Sequence, residues 1–254
     1  MLLEDRDVVR AFLMRDRIRN AVVIERMFHH SDFSLAFADQ LPEPKAVLAL
    51  RPASSPDSPH QFALHAVEPL AALHVLKAIP KGACIYHVAD ELAFPSIRGA
   101  LTVGWWGDAI LYRLDRADFR DVQAHEVEPL DPNFAAKIAK IWAPDWPSEG
   151  YVRSRITKGL NGAIYENGEP VAWYMTHLET DDVVMLGFLH VLDEYRGRGY
   201  AKSLSCALIK QTFAKDKVPC CHVYTDNAAS IQLMEGLGFR RVCLQVWGDG
   251  LVRG

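Results

Sequence analysis

A chain of 254 residues, half of them hydrophobic and 24% charged, has room for two ordinary globular domains. Its net charge of −4 lacks the Lys/Arg excess that a nucleic-acid or anionic-membrane surface needs, so neither is an expected partner. The start turns charged at once, with no signal-peptide core, and no run approaches the roughly 20 apolar residues of a bilayer span, so a cytoplasmic protein is expected.

From the N-terminus, Asp5 to Arg19 sets Val8, Phe12 and Ile18 among charges, which predicts an amphipathic helix. Ala46 to Leu50 is a strand-like apolar run, and Pro52 to Pro59 is a loop rich in Ser and Pro. Helical spacing returns at Leu70, Leu73, Leu76 and Ile79, before Pro80. Ala83 to Val88, and Leu101 to Leu114 broken by a Gly107-Asp108 turn, read as strands. The charged stretch from Asp115 to Arg120 separates an N-terminal α/β domain, residues 1–120, from a C-terminal domain, residues 121–254.

In the second domain His125 to Leu130 reads as a strand. Phe134 to Trp142 reads as a short helix ended by Pro144 and Pro147, and Ser148 to Lys158 as another. Ala163 to Glu166 and Val171 to His177 form a hairpin about Asn167-Gly168, the pair that tight hairpins favour. Val183 to Leu192 is a long strand. Ala201, Leu204 and Leu208 share one face of a helix. His222 to Thr225 is strand again, Ser230, Leu233, Met234 and Leu237 mark a helix closed by Gly238, and Arg241 to Trp247 is a last strand.

The informative junction joins the long strand to the helix through Asp193-Glu194-Tyr195-Arg196-Gly197-Arg198-Gly199-Tyr200-Ala201. A helix N-terminus presents unpaired N–H groups and a partial positive charge, so it attracts phosphate. Gly197 and Gly199 let the backbone turn those donors toward an oxyanion, and Arg196 and Arg198 add charge. The spacing matches neither the dinucleotide nor the nucleoside triphosphate loop. On this motif alone a charged turn that merely caps a helix is an equal alternative.

The five cysteines, Cys84, Cys206, Cys220, Cys221 and Cys243, are odd in number and lack a CxxC spacing, so they read as reduced thiols. His29-His30 reads as a solvated helix end or part of a contact between the halves. No metal is expected, since no third ligand stands at metal-binding spacing.

The order hairpin, long strand, Arg-x-x-Gly-x-Ala helix, strand, Asn227, helix, Gly238-Phe239 resembles the GNAT superfamily of acyl-CoA N-acyltransferases, over roughly Glu126 to Trp247. Gly168-Glu169-Pro170-Val171-Ala172-Trp173 and Glu194-Tyr195-Arg196-Gly197 are further similar to its glycine N-acyltransferase group. The resemblance implies an α/β fold with a mixed sheet, a C-terminal GNAT domain, and acetyl-CoA or another acyl-CoA as co-substrate. It places the pantetheine arm along Leu189, His190 and Val191. It places the pyrophosphate on the amides of Arg196, Gly197, Arg198, Gly199, Tyr200 and Ala201, with Ser230 small beside the cofactor. Asn227 either bonds the pantetheine arm or caps its helix. Only one strand's length comes after Gly238-Phe239, so the N-terminal half is expected to fill that edge as a degenerate GNAT-like copy.

Two positions depart from the family's pattern. The frequent Tyr general acid falls on Met234, and the Glu base of glycine N-acyltransferases falls on Met185. His190 is the favoured replacement base, because imidazole titrates near neutrality, with His177, or water leading to Asp181 or Asp182, as alternatives. Tyr151, Trp173 and Tyr174 are candidates to line the acceptor pocket. The expected activity is N-acyl transfer to a small-molecule amine, amino acids included, by direct attack in a ternary complex. A catalytically silent acyl-CoA-binding or regulatory module is the alternative, and a homodimer is an allowed assembly.

Overall fold

The computed structural model describes residues 1–29, 34–144 and 147–253. His30 of the His29-His30 pair lies outside them. The chain forms two compact units, the first from Met1–Leu111, Val223–Asp226 and Arg241–Gly254, the second from Tyr112–His222 and Asn227–Arg240. They interleave in sequence, where a single boundary near residue 120 was expected.

In chain order the first series of elements is α1 (Arg10–Met14), α2 (Ala21–Ile24), β1 (Leu35–Ala38), β2 (Ala46–Arg51), β3 (His60–Ala66), α3 (Pro69–Leu76), β4 (Gly82–Val88), α4 (Phe94–Ala100) and β5 (Leu101–Arg113). The second is α5 (Ala135–Trp142), α6 (Glu149–Lys158), β6 (Asn161–Glu166), β7 (Glu169–Glu179), β8 (Val183–Val191), α7 (Tyr200–Ala214), β9 (Val218–Tyr224), α8 (Ala228–Gly236) and β10 (Arg240–Val252). The two orders are the same, and so are the pairings. β1–β2 and β2–β3 are antiparallel and β3–β4 parallel; β6–β7 and β7–β8 are antiparallel and β8–β9 parallel. The closing strand of the second series, β10, lies in the first unit, antiparallel to β4 from Val246↔Val88 to Val252↔Gly82.

Residue chemistry explains the elements. β2 is buried on both faces and reads as a near-continuous apolar run, β3 is nearly as buried although His60, Gln61 and His65 interrupt it, and β1 at the sheet edge alternates. Leu48, Leu50, Phe62, Leu64, Val75, Tyr86 and Ile97 form the first unit's core. Leu130, Ile138, Val152, Ile156, Trp173 and Met175 form a core in the second. At the β6–β7 turn Asn167 and Gly168 have φ of 53° and 80°, the two positive values a tight hairpin needs.

Three expectations are corrected. Residues 101–113 form one strand with no turn at Gly107-Asp108. A Cβ at Gly107 would stand 2.5 Å from the Trp105 ring, so this glycine serves close packing. His125 to Leu130 is not a strand, since only the Glu128–Ala163 bridge forms there. The helix expected over Asp5 to Arg19 ends at Met14; the Asn20 side-chain amide then donates to the Leu13 carbonyl at 2.9 Å, and helix resumes at Ala21. The elements β1, β3 and α4 had no clear periodic signal.

The first unit lacks the glycine loop of the second. Only Val67 and Glu68 separate β3 from α3, and Pro69 opens that helix, whereas residues 192–199 separate β8 from α7.

His65, on β3, is 5% exposed, and burial pushes its pKa down to about 4. Below pH 6.5 an unfolded imidazole takes up a proton that the folded one refuses until about pH 4. Stability is therefore lost as pH falls through this window, by about 3 kcal/mol from His65. Urea unfolding at pH 7 and pH 4 should show a smaller difference in His65→Phe than in the wild type.

Candidate acyl-CoA site

The site begins with a break in strand pairing. The parallel β8–β9 ladder runs from Val183↔Val218 to Leu186↔Cys221, and no pair continues it among the described residues. Next on β8, Gly187 packs against His177 and Phe188 takes a φ of 51°, while the β7–β8 register shifts opposite. A bulge of this kind bends the strand and re-aims the residues beyond it. His190 and Val191 keep β7 on one side, and Leu189, His190 and Val191 line a cavity of about 680 Å³.

The opposite wall is the turn into α7. Gly197 and Gly199 have φ of 80° and 82°, and Gly199 is the N-cap. An added Cβ at Gly197 would meet open space, so glycine is required there by backbone conformation and not by crowding. The amides of the first turn of α7 have no intrahelical acceptor, and that turn borders the cavity. Arg196, Gly197, Gly199, Tyr200, Ala201 and Lys202 line it, and Asn227, Ser230 and Leu233 of α8 complete it.

Arg198 is the one expected residue that does not line the cavity. Its guanidinium lies over the Tyr195 ring at 4.8 Å and 3.7 Å from Glu166, and its carbonyl accepts from Nε2 of His125 at 2.9 Å. The Tyr200 hydroxyl donates to the same Glu166 carboxylate. Glu166 and His125 therefore hold the turn from behind. Neither was foreseen, because the contacts join residues more than 30 apart in sequence. Lys202, Tyr195 and Leu233 were missed too, although Lys202 and Leu233 sit one and three residues beyond foreseen positions. The Asn227 side chain accepts from the Ser230 amide at 3.1 Å, so it caps α8, and the residue also lines the cavity.

His190 is half-buried and stacks on Trp173 at 4.8 Å and 27°. Burial, reinforced by the Arg196 charge, lowers its pKa, so the imidazole is neutral at neutral pH. His177 lies instead beside Phe188 at 5.4 Å, and that ring also meets Trp142 and Tyr151. Asp181 and Asp182 lie just before β8, at the opposite end of that strand from His190. Trp173 and Tyr174 are buried, as are Met185 and Met234, so these four fill the interior.

Residues 162–248 match the family model described as FR47-like protein. No curated protein matches the chain. Among solved structures, a Drosophila protein is 15% identical with a TM-score of 0.71, covering 99% of this chain and 98% of its own. An acetyltransferase from the GNAT family of Colwellia psychrerythraea is 11% identical with a TM-score of 0.60, covering 98% of each chain. The fold is that of the GNAT acetyltransferases. A tandem GNAT protein from the clavulanic acid biosynthesis pathway is 12% identical with a TM-score of 0.61, covering 100% of this chain and 98% of its own. The GNAT-like architecture thus spans both series of elements, and the repeated order and pairings give the reason. The second series carries the glycine turn and the first is degenerate.

Forcing a side chain into a left-handed turn costs about 1–2 kcal/mol. Gly199→Ala should lower stability by about that amount in urea unfolding, although its Cβ would come no nearer than 3.7 Å to His125. A neutral result would show that the turn can relax out of its positive φ.

Proposed function

We propose that the second unit transfers an acyl group, acetyl first among them, from acyl-CoA to the amine of a small molecule. The observation that carries this reading is one cavity with a freed strand edge on one wall and a helix N-terminus on the other. The edge at Leu189 to Val191 offers backbone donors and acceptors to the pantetheine amides as an added strand would. The first-turn amides of α7, with Arg196 and Lys202, suit a pyrophosphate. Between them the thioester would lie near the bulge, where a strand amide next to Phe188 is placed to stabilise an oxyanion.

The chemistry asks little more. Holding amine and thioester in line supplies about 7–11 kcal/mol of barrier reduction. A thiolate leaving group with a pKa near ~8.5 needs little protonation help, which fits the methionine at position 234. His190, neutral and beside the strand edge, takes the proton of the attacking amine. Phe188, Trp142 and Tyr151 form an aromatic cluster suited to the apolar part of the acceptor, which we take to be a small molecule such as an amino acid. The buried methionines at 185 and 234 favour one competing reading, an acyl-CoA-binding module without turnover.

Thiol release from acetyl-CoA, measured against pools of amino acids and polyamines, tests both. Release with one pool, reduced at least about 100-fold in Arg196→Ala/Gly199→Ala, is the expected outcome. A rise in Tm with acetyl-CoA but no release from any pool would favour the silent module, and no rise would remove the cofactor assignment.

If His190 is the base, kcat/KM should rise with pH, bend at a value below 6.5 and then stay level. His190→Gln should lower kcat by about 10²–10⁴ and abolish that bend. An unaltered profile would leave proton removal to solvent or to His177.

A further inference from the structure

The first unit has a cavity of its own, about 380 Å³, which acyl transfer in the second unit does not use. It lies at the C-terminal ends of β3 and β4, where the second unit places its acyl-CoA cavity against β8 and α8. The correspondence extends to residues. His65 is the penultimate residue of β3 as His190 is of β8. Asp90 caps the helical turn after β4 by accepting from the Leu92 amide, as Asn227 caps α8. With only Val67 and Glu68 before α3, the first unit has no cradle for a pyrophosphate, so its cavity calls for a smaller ligand.

Three buried polar atoms on residues that line this cavity have no hydrogen-bond partner among the described residues: Oδ1 of Asn20, Nδ1 of His65, and Nε of Arg19, which lies 3.3 Å from an Asp16 carboxylate oxygen. Asn20 and His65 are only 1% and 5% exposed. Buried polar groups are ordinarily paired, so the Asn20 and His65 atoms point to a ligand. Asp90, 6% exposed, stands at the same buried end, bonded to Arg19 at 2.5 Å. The Arg19 guanidinium at this end is matched by Asp90 and Asp16, which leaves Asn20 and His65 as the acceptors that suit an ammonium group. The mouth carries cations, with Arg15 exposed over the Phe12 ring at 5.7 Å and Lys45 partly exposed. Glu43, also exposed at the mouth, opposes a multiply charged anion.

We propose that this cavity is a binding site for a free amino acid, with its ammonium toward Asn20 and His65 and its carboxylate toward Arg15 and Lys45. Lys45 already has Glu68 at 3.6 Å, but a plain amine would leave Arg15 without an anion, and a plain carboxylic acid would leave the Asn20 oxygen without a donor. The volume suits a ligand of this size.

Calorimetric titration of the full chain with each of the common amino acids tests this, in the wild type, in Arg15→Glu, and in Arg196→Ala/Gly199→Ala. At least one amino acid should bind, at least about tenfold more weakly in Arg15→Glu and unchanged in the double variant. The matching decarboxylated amine and deaminated acid should each bind at least about tenfold more weakly than the amino acid. The absence of binding to the wild type would overturn the proposal. Binding indifferent to Arg15→Glu but lost in the double variant would overturn it as well, placing the amino acid in the second unit as an acceptor. Equal binding of either truncated analogue would overturn the assignment to zwitterions. Acetyl-CoA thermal shifts on the same samples report the second unit separately, so failure of one reading does not entail failure of the other.

Discussion

A β-strand whose neighbour departs must find other partners for its backbone amides and carbonyls. In this chain β8 loses β9 after Leu186 and Cys221, and the positive φ of Phe188 bends the next residues away from a continuous ladder. Several features of the second unit depend on that separation. The edge at Leu189 to Val191 is open to a ligand, the cavity has depth, and the strand end meets a glycine turn that sets the first turn of α7 against it. Glu166 and His125 secure the turn from outside, so its polar face is held ready instead of being ordered at the moment of binding.

The turn was legible in the sequence because its chemistry is local. Arg196-Gly197-Arg198-Gly199 between an apolar strand and an amphipathic helix has few uses, and the Asn167-Gly168 hairpin before it fixed the register of the approach. The direction of Arg198 was not legible, since it depends on Glu166 and His125, which only the fold brings near. The continuous β5 was missed for a related reason. Gly107 looks like a turn in the sequence, and only the Trp105 ring lying over it shows why a side chain is excluded. β3 escaped notice because His60 and His65 interrupt its apolar pattern, yet both are buried. Local chemistry predicted local geometry; contacts across tens of residues did not announce themselves.

The repetition of element order sets one scaffold beside itself with two different connections. In both series a hairpin, a third strand and a parallel neighbour place a histidine and a helix cap at the ends of adjacent strands. What differs is the connection after the third strand, long and rich in glycine in one case, two residues and a proline in the other. The paired histidine positions then inherit different surroundings, a guanidinium beside His190 and nearly complete burial around His65.

The placement of β10 bears on how the polypeptide matures. Val246 to Val252 pair with β4, and the Gln245 amide bonds the carbonyls of Arg19 and Ala89, so the first unit is completed by residues made more than 130 positions after its own early strands. During synthesis that unit emerges with one flank of β4 uncovered and must wait for the remainder of the chain. Loss of the final dozen residues would therefore injure the beginning of the protein more directly than the cavity between β8 and α7.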